Sequence, residues 1–190
     1  PLSLRETGAA FVACPGHKGL LGPQGTGILL CAHAARPLLF GGTGSLSESQ
    51  EMPPFLPDRL EAGTHNVCGL AGLLEGVRYV RRSGTERLLA HEQALLRAAV
   101  QGIEAQGFAR VFRGAPQSGV LSVVPKTVDC EEAAQRLADA GIAVRAGLHC
   151  APTAHRAAGT LQTGTLRLSF SPFNTMQEIR HFLNVTKKLF

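Results

Sequence analysis

The alternation of short apolar runs with longer amphipathic stretches is the feature that most restricts the fold of this chain. Apolar runs at 11–14 and 27–32 predict two strands that flank a glycine-rich turn. Two amphipathic helices are predicted next, one capped by Asn66 and extending to about residue 82, the other capped by Thr85 and extending to about residue 105. The predicted apolar face of the first consists of Val67, Leu70, Ala71, Leu74 and Val77. Because strands and helices alternate, the sequence predicts the α/β fold class.

The structural units become shorter after Gly107, which predicts a second and smaller domain. Its two predicted helices open at Asp129 and Thr175, each followed three residues later by a glutamate, and extend to about residues 140 and 189. We place the domain boundary within 84–108, and predict a first domain over 1–95 and a second over 96–190. Four strands are predicted in this part of the chain, at 108–112, 120–124, 142–146 and 165–170.

Residues 35–65 are rich in glycine, proline and serine and show no sustained period, so they predict a long loop. Loops of this length in compact proteins are usually functional or unstructured. The loop contains the stretch GGTGS at 41–45, which is either a plain turn-rich segment or part of a site.

Composition favours an ordered cytoplasmic protein without a nucleic-acid partner. Hydrophobic residues make up 44% of the 190 residues, which suits a packed core. The formal net charge is +5, but the basic residues are scattered and form no stripe interleaved with aromatics.

No apolar stretch is long enough to cross a bilayer, and the N-terminus shows no signal-peptide pattern. The five cysteines lack a CxxC pair and the histidines are widely spread, so we expect a reducing compartment and no metal site.

One lysine stands in an unusual setting, the stretch CPGHKGLLGPQGTG at 14–27. Lys18 follows a predicted buried strand, beside His17 and among several glycines, although an unpaired ammonium is costly to bury. A deprotonated lysine amine attacks carbonyls, and neighbouring glycines let a phosphate-bearing cofactor approach the backbone. The combination suits a Schiff base with pyridoxal phosphate, although a glycine-rich turn after a strand is more often only a turn. The glycines follow the lysine and no GK[ST] occurs, so the stretch is not a P-loop.

A second unusual stretch, VRAGLHCAPTAH at 144–155, contains Cys150. Cysteines are usually buried and inert, and we expect that of the other four. Cys150 instead lies in a polar loop with Arg145, His149 and His155, surroundings that can favour a thiolate. The sequence therefore predicts an accessible, reactive thiol at this position.

Arg167 is a charged residue within the otherwise apolar strand pattern GTLRLSF. An arginine there is expected to pair with a carboxylate, either a structural one or that of a ligand. Its planar guanidinium would hold the carboxylate of an amino acid through two parallel hydrogen bonds.

Four motifs together resemble class V aminotransferases of fold type I, and specifically the cysteine desulfurase and selenocysteine lyase branch. The motifs follow the family's order and span nearly the whole chain: GHKGLLGPQGTG at 16–27, LEAGTHNVCGLAGL at 60–73, VRAGLHCAP at 144–152 and GTLRLSFSPFNTMQEI at 164–179. The resemblance implies the C-terminal part of the large domain that binds pyridoxal phosphate, followed by a smaller α/β domain.

The resemblance also implies which residues hold the cofactor. Lys18 matches the lysine that forms the Schiff base with pyridoxal phosphate, and His17 matches its neighbour, which contacts the cofactor. Gly63 and Thr64 match a phosphate contact that reaches across a dimer interface. The stretch GGTGS at 41–45 is similar to the loop that extends toward the partner subunit's active site. A homodimer is therefore implied.

Two further residues match positions that act on the substrate. Cys150 matches the nucleophile on a flexible loop, and Arg167 matches the arginine that binds the substrate carboxylate. The implied reaction removes sulfur from L-cysteine, leaving alanine and a persulfide on Cys150. An acceptor protein or thiol would then take the sulfur.

The chain also departs from the family pattern. Members carry roughly as much chain again before the lysine, including the aspartate that pairs with the pyridine nitrogen and the group that stacks on the ring. We therefore expect a C-terminal portion without its N-terminal half, which would be a poor enzyme alone and would take that half as a partner. Pro15 also stands where many relatives have a hydroxyl residue near the phosphate. Two alternatives stay open: selenocysteine lyase or another C–S lyase dependent on pyridoxal phosphate, and a non-catalytic dimerisation or binding module.

Overall fold

The computed structural model describes residues 2–115 and 117–190. The chain forms two compact units, one up to Thr85 and one from Glu86 onward. The predicted boundary after residue 95 falls inside a helix, Thr85–Gln106. Assignment of the two units to a large-domain portion and a small domain stays a prediction.

The first unit is built on a two-stranded antiparallel ribbon. Strands β1 (Phe11–Pro15) and β2 (Gly27–Cys31) pair so that Pro15 lies opposite Gly27, which confirms the two predicted strands around the turn. A short helix that the sequence analysis did not predict, α1 (Leu4–Thr7), precedes them. The predicted long loop follows β2 and contains only one turn of 3-10 helix, Asp58–Leu60.

Helix α2 (Val67–Ser83) closes the first unit, and it packs through a different face from the one expected. Asn66 caps it as predicted, accepting a hydrogen bond from the Gly69 amide at 2.9 Å. The residues it buries are Gly69, Leu73 and Gly76. The predicted apolar face is largely exposed instead, with Val67 at 70% and Leu74 at 48% of full exposure. Glycines decide the packing, because they let the helix backbone approach the turn before β2.

The second unit is a four-stranded antiparallel sheet packed against helices. The strands lie in the order Ala109–Phe112, Val120–Pro125, Thr165–Ser169 and Arg145–Gly147, so the second and third of these are central. Its core includes fully buried Leu121, Val123 and Leu166 from these central strands, with Ile103 and Leu137 from the helices. The elements are α3 (Thr85–Gln106), whose first residue belongs to the first unit, β3 (Ala109–Phe112), β4 (Val120–Pro125), α4 (Cys130–Asp139), β5 (Arg145–Gly147), α5 (Pro152–Ala158), β6 (Thr165–Ser169) and α6 (Met176–Leu189).

The two predicted capping boxes differ in outcome. At α6 the box is complete, since Thr175 and Glu178 each accept a hydrogen bond from the other's backbone N–H. The hydrogen bonds that the backbone N–H and the hydroxyl of Thr175 donate to the Glu178 carboxylate hold the pKa of this carboxyl below its ordinary value. At α4 only half of the box forms: Asp129 accepts from the Glu132 amide at 2.7 Å, while the Glu132 carboxylate pairs with Arg136.

Two local predictions in the second unit were wrong. The strand expected at 142–146 is shorter and later, Arg145–Gly147, because the Ile142 amide donates to the Leu137 carbonyl at 2.8 Å and so completes the end of α4. Helix α5 was not predicted. It lacks a side-chain cap at Ala151 and begins with Pro152, a residue that suits the first helical position.

We expect Leu121→Ala to lower the free energy of unfolding of the second unit by about 2 to 5 kcal/mol, because it would leave a cavity at a fully buried position of a central strand. Val120→Ala is the matched control, since Val120 is the neighbouring residue of β4 and is 43% exposed. Urea unfolding followed by circular dichroism measures both. Equal losses in the two variants would contradict the assigned core.

Among the helices of the described residues, none is both long enough and apolar enough to cross a membrane.

Candidate active site

Lys18 lies in the turn between β1 and β2, and backbone hydrogen bonds close this turn. The Gly16 amide donates to the Thr26 carbonyl at 2.8 Å, and the Gly22 amide donates to the Gly16 carbonyl at 2.8 Å. Within the turn, the Leu21 amide donates to the Lys18 carbonyl at 2.9 Å. The side chain of Lys18 is exposed, so a fixed backbone presents a reachable amine.

Glycines hold the lysine turn against α2. A Cβ added at Gly76 would lie 2.8 Å from the Leu21 carbonyl carbon, and one added at Gly72 would lie 2.7 Å from the Pro23 ring. A Cβ at Gly22 would in turn lie 3.0 Å from the Leu73 Cα. Real Cβ atoms do not approach other atoms at such distances. The close contact between turn and helix therefore depends on glycine at several positions at once.

Two stretches singled out in the sequence are neighbours in the first unit. The Gly63 amide donates to the Gly42 carbonyl at 2.8 Å, which joins the segment EAGT to the loop GGTGS. Gly63 has φ of 92°, a conformation that favours glycine. Since its N–H already has a partner, a phosphate at this turn would depend on Thr64, which is exposed.

Cys150 lies in the connection between β5 and α5, and its side chain is exposed. Cys150 and His149 both have left-handed backbone conformations, with φ of 59° and 52°. Such a conformation costs a residue other than glycine about 1 to 3 kcal/mol, so the surrounding structure must hold the pair in place. The thiol is therefore presented from a specifically shaped turn.

The turn that carries Cys150 is fixed by the imidazole of His149. The Nε2 atom lies 3.1 Å from the Thr165 carbonyl oxygen and 3.0 Å from the Thr165 hydroxyl oxygen. Burial lowers the pKa of His149 below its ordinary value, and the positive charges of Arg167, His155 and Arg145 add to this, while the bond to the Thr165 carbonyl opposes it. A lowered pKa favours the neutral form of this imidazole at pH 7.

Arg167 lies in β6 directly opposite Arg145 of β5. Like charges at directly opposed positions of an antiparallel pair repel each other. Among residues 2–115 and 117–190, neither arginine forms an ion pair with a carboxylate. The Nε atom of Arg167 is buried and has no hydrogen-bond partner there. This face of the sheet can therefore accept an anionic group.

The predicted site residues fall into two sets. Lys18, His17, Gly63 and Thr64 lie in the first unit, whereas Cys150 and Arg167 lie in the second. In the second unit the sequence analysis missed one residue, Thr165, whose carbonyl and hydroxyl hold the histidine beside Cys150. A signal was present, because Thr165 and Arg167 are two residues apart in a strand pattern and so share a face.

The comparison with protein families extends over almost the whole chain. The model of the family "Aminotransferase class-V" matches residues 1–182. This chain belongs to that family. Its mixed α/β fold is that of the solved cysteine desulfurase from Thermococcus onnurineus NA1, with a TM-score of 0.86 and 30% identity, over 98% of this chain and 48% of that one.

Two curated relatives of this class V chain are both named as probable cysteine desulfurases. "Probable cysteine desulfurase 1" of Mycobacterium leprae is 36% identical over 100% of this chain and 32% of its own length. "Probable cysteine desulfurase" of Methanothermobacter thermautotrophicus is 35% identical over 94% of this chain and 47% of its own length. The chain thus spans a third to a half of the length of these relatives.

Proposed function

We propose that this chain is the C-terminal part of a cysteine desulfurase that depends on pyridoxal phosphate, converts L-cysteine to L-alanine and collects the sulfur on Cys150. The observation that carries the proposal is the family match over residues 1–182, which includes both the lysine turn and the cysteine turn. The exposed amine of Lys18, the exposed thiol of Cys150 and the arginine without a carboxylate partner are the groups that this reaction needs.

The lysine turn offers an exposed amine to the aldehyde of pyridoxal phosphate. The amine of Lys18 would bond to pyridoxal phosphate, and no carboxylate of the described residues forms an ion pair that competes for it. His17 would contact the cofactor, and Thr64 would contact the phosphate of a cofactor bound across a dimer interface. Gly63 would shape this turn through its left-handed backbone conformation. When bound, pyridoxal phosphate supplies an electron sink that makes the Cα proton of the substrate acidic.

The residues of this chain then have separate tasks in the reaction. Arg167 holds the substrate carboxylate through two hydrogen bonds. The amine of Lys18 would take the proton from Cα, because a lysine amine can act as a general base. The thiolate of Cys150 attacks the substrate sulfur: an S–S bond forms, the C–S bond breaks, and the carbon keeps the electron pair and gains a proton. In sum, L-cysteine and the Cys150 thiol give L-alanine and a persulfide on Cys150. A thiol or an acceptor protein then takes the outer sulfur atom of the persulfide.

An apolar groove on the first unit supports the proposal that further chain completes the protein. The groove has a volume of about 930 Å³ and is lined by residues of both strands, α2 and the long loop, among them Ile28, Leu30, Leu56, Leu70 and Leu74. Large open apolar surfaces are sites of association. The preceding half of a longer chain is the occupant we propose, because the relatives are two to three times as long as the part matched here.

The long loop supports a homodimer. Leu38, Leu39 and Phe40 are 92%, 72% and 69% exposed, and they lie immediately before the loop GGTGS. Three adjacent exposed apolar side chains are typical of a contact surface. We propose that this segment contacts the partner subunit.

A cytoplasmic location is also proposed, since all five cysteines are free thiols.

The test is made on the purified protein in its natural length. We expect a yellow absorbance band on addition of pyridoxal phosphate, and equal amounts of alanine and released sulfide from L-cysteine in the presence of a reducing thiol. Turnover of cystine or selenocysteine in preference to cysteine would instead identify another lyase of this type. A natural-length protein that shows neither the band nor any turnover would be a binding module, and the proposal would be wrong.

A further inference from the structure

The two ring nitrogen atoms of His149 differ in their hydrogen bonding: one has a partner and the other has none. Its Nε2 contacts the Thr165 carbonyl at 3.1 Å. A carbonyl oxygen only accepts hydrogen bonds, so Nε2 carries the proton. In a neutral imidazole the other nitrogen, Nδ1, is then an acceptor with a free lone pair. That Nδ1 atom is buried and has no hydrogen-bond partner.

Arg167 provides the complementary group. Its Nε atom is likewise buried without a partner, and these two atoms are the buried side-chain nitrogen or oxygen atoms without a partner among residues 2–115 and 117–190. The Nε–H of arginine only donates, whereas Nδ1 of this tautomer only accepts. Buried polar groups in folded proteins are almost always paired, so two of opposite kind in one region call for an explanation.

The two groups belong to the same face of the second unit. His149 is held by Thr165, which is two residues before Arg167 in β6, so that the side chains of Thr165 and Arg167 project from the same side of the strand. The guanidinium of Arg167 is also near enough to His149 to lower the pKa of the imidazole. The charged or titratable groups around this imidazole are Arg145 of β5, His155 of α5 and Arg167 of β6.

We propose that His149 is a positioning residue whose Nδ1 accepts a hydrogen bond from the Nε–H of Arg167, so that the outer two nitrogens of the guanidinium are left free to hold a carboxylate. In the structure this bond is not closed, since neither atom has a hydrogen-bond partner. Because His149 is adjacent to Cys150, the bond would join the carboxylate-binding arginine to the turn that carries the thiol. The role of Arg167 in this scheme rests on the proposed function.

Two substitutions separate the two nitrogens of His149. In His149→Asn the side-chain amide lies where Nδ1 was, so an acceptor for Arg167 is kept and the bond to Thr165 is lost. In His149→Gln the amide reaches the position of Nε2, so a donor to the Thr165 carbonyl is kept and the acceptor for Arg167 is lost. If His149 only anchored the loop through Thr165, glutamine would replace it better than asparagine. The proposal predicts the reverse for the hydrogen bond to Arg167, which asparagine should keep and glutamine should lose.

The experiment is nuclear magnetic resonance on the ¹⁵N-labelled 190-residue chain. We expect a nitrogen–nitrogen coupling across the bond between Arg167 Nε and His149 Nδ1. We also expect exchange of the Arg167 Nε–H with water about tenfold slower than that of Arg156, whose side chain is exposed. His149→Asn should keep the slow exchange, while His149→Gln should lose it.

Absence of the coupling together with exchange as fast as that of Arg156 in the unsubstituted chain would overturn the proposal. Slow exchange kept in His149→Gln but lost in His149→Asn would overturn it too. Neither measurement depends on turnover. A coupling found in the 190-residue chain, together with no alanine made from cysteine by the natural-length protein, would therefore contradict the proposed function while this inference stands. In an active natural-length protein, His149→Gln should raise the KM for L-cysteine about tenfold and change kcat much less.

Discussion

Lys18→Ala is expected to abolish both the absorbance of bound pyridoxal phosphate and the production of alanine from cysteine. The substitution removes the amine that would bond to the cofactor and also the base that would take the Cα proton. Loss of a positioned acid–base group alone typically lowers a rate by about 10²- to 10⁴-fold, and loss of the covalent link adds to this. Absorbance spectra and alanine assays on the natural-length protein measure the two effects separately.

Lys126→Ala is the matched control for Lys18, since Lys126 is also exposed and follows a strand, but lies in the second unit. It should keep both the absorbance and the rate. The circular dichroism of Lys18→Ala should equal that of the unsubstituted protein, because an exposed side chain is removed. A Lys18→Ala protein that still binds the cofactor with the same spectrum and turns over cysteine would refute the assignment.

Cys150→Ser is expected to keep the cofactor absorbance and to lose nearly all release of sulfide from cysteine. A smaller hydroxyl of the same shape occupies the turn, so the left-handed backbone is kept, but no thiolate remains to accept the sulfur. Alkylation of the protein after a short incubation with cysteine, followed by mass spectrometry, should detect a persulfide in the unsubstituted protein and none in the variant.

Cys68→Ser is the control for Cys150, because Cys68 is also exposed. The expectation that the other four cysteines are buried was wrong for Cys68, and only Cys130 is fully buried, while Cys14 and Cys31 are half-buried. Removing Cys68 should leave persulfide formation unchanged. Sulfide release by Cys150→Ser at the rate of the unsubstituted protein would mean that another group accepts the sulfur. A persulfide on Cys68 in place of Cys150 would also contradict the proposal.

Much of the fold could be predicted because its signals are local. The cap at Asn66, the reciprocal cap between Thr175 and Glu178 and the apolar run of β6 each depend on residues within a few positions of one another. These elements lie where the pattern places them. The end of α4 shows the limit, because there one backbone hydrogen bond from Ile142 competes with strand formation and delays β5 to Arg145.

The arrangement of the candidate site was less predictable because it depends on contacts between distant segments. Periodicity alone assigned the apolar side of α2 to a core, yet glycines on another side of the helix determine which residues are buried. The opposition of Arg145 and Arg167 follows from the register of β5 and β6, which the sequence does not state. The bond from His149 to Thr165 spans sixteen positions and likewise needed the structure.

Helix α2 contributes to two different surfaces of the first unit. Its glycines support the turn that presents Lys18, and its leucines at 70 and 74 line the apolar groove. A segment bound in that groove would therefore contact the same helix that supports the turn with the reactive amine. One helix of seventeen residues thus borders both the surface proposed for assembly and the turn that carries the reactive amine.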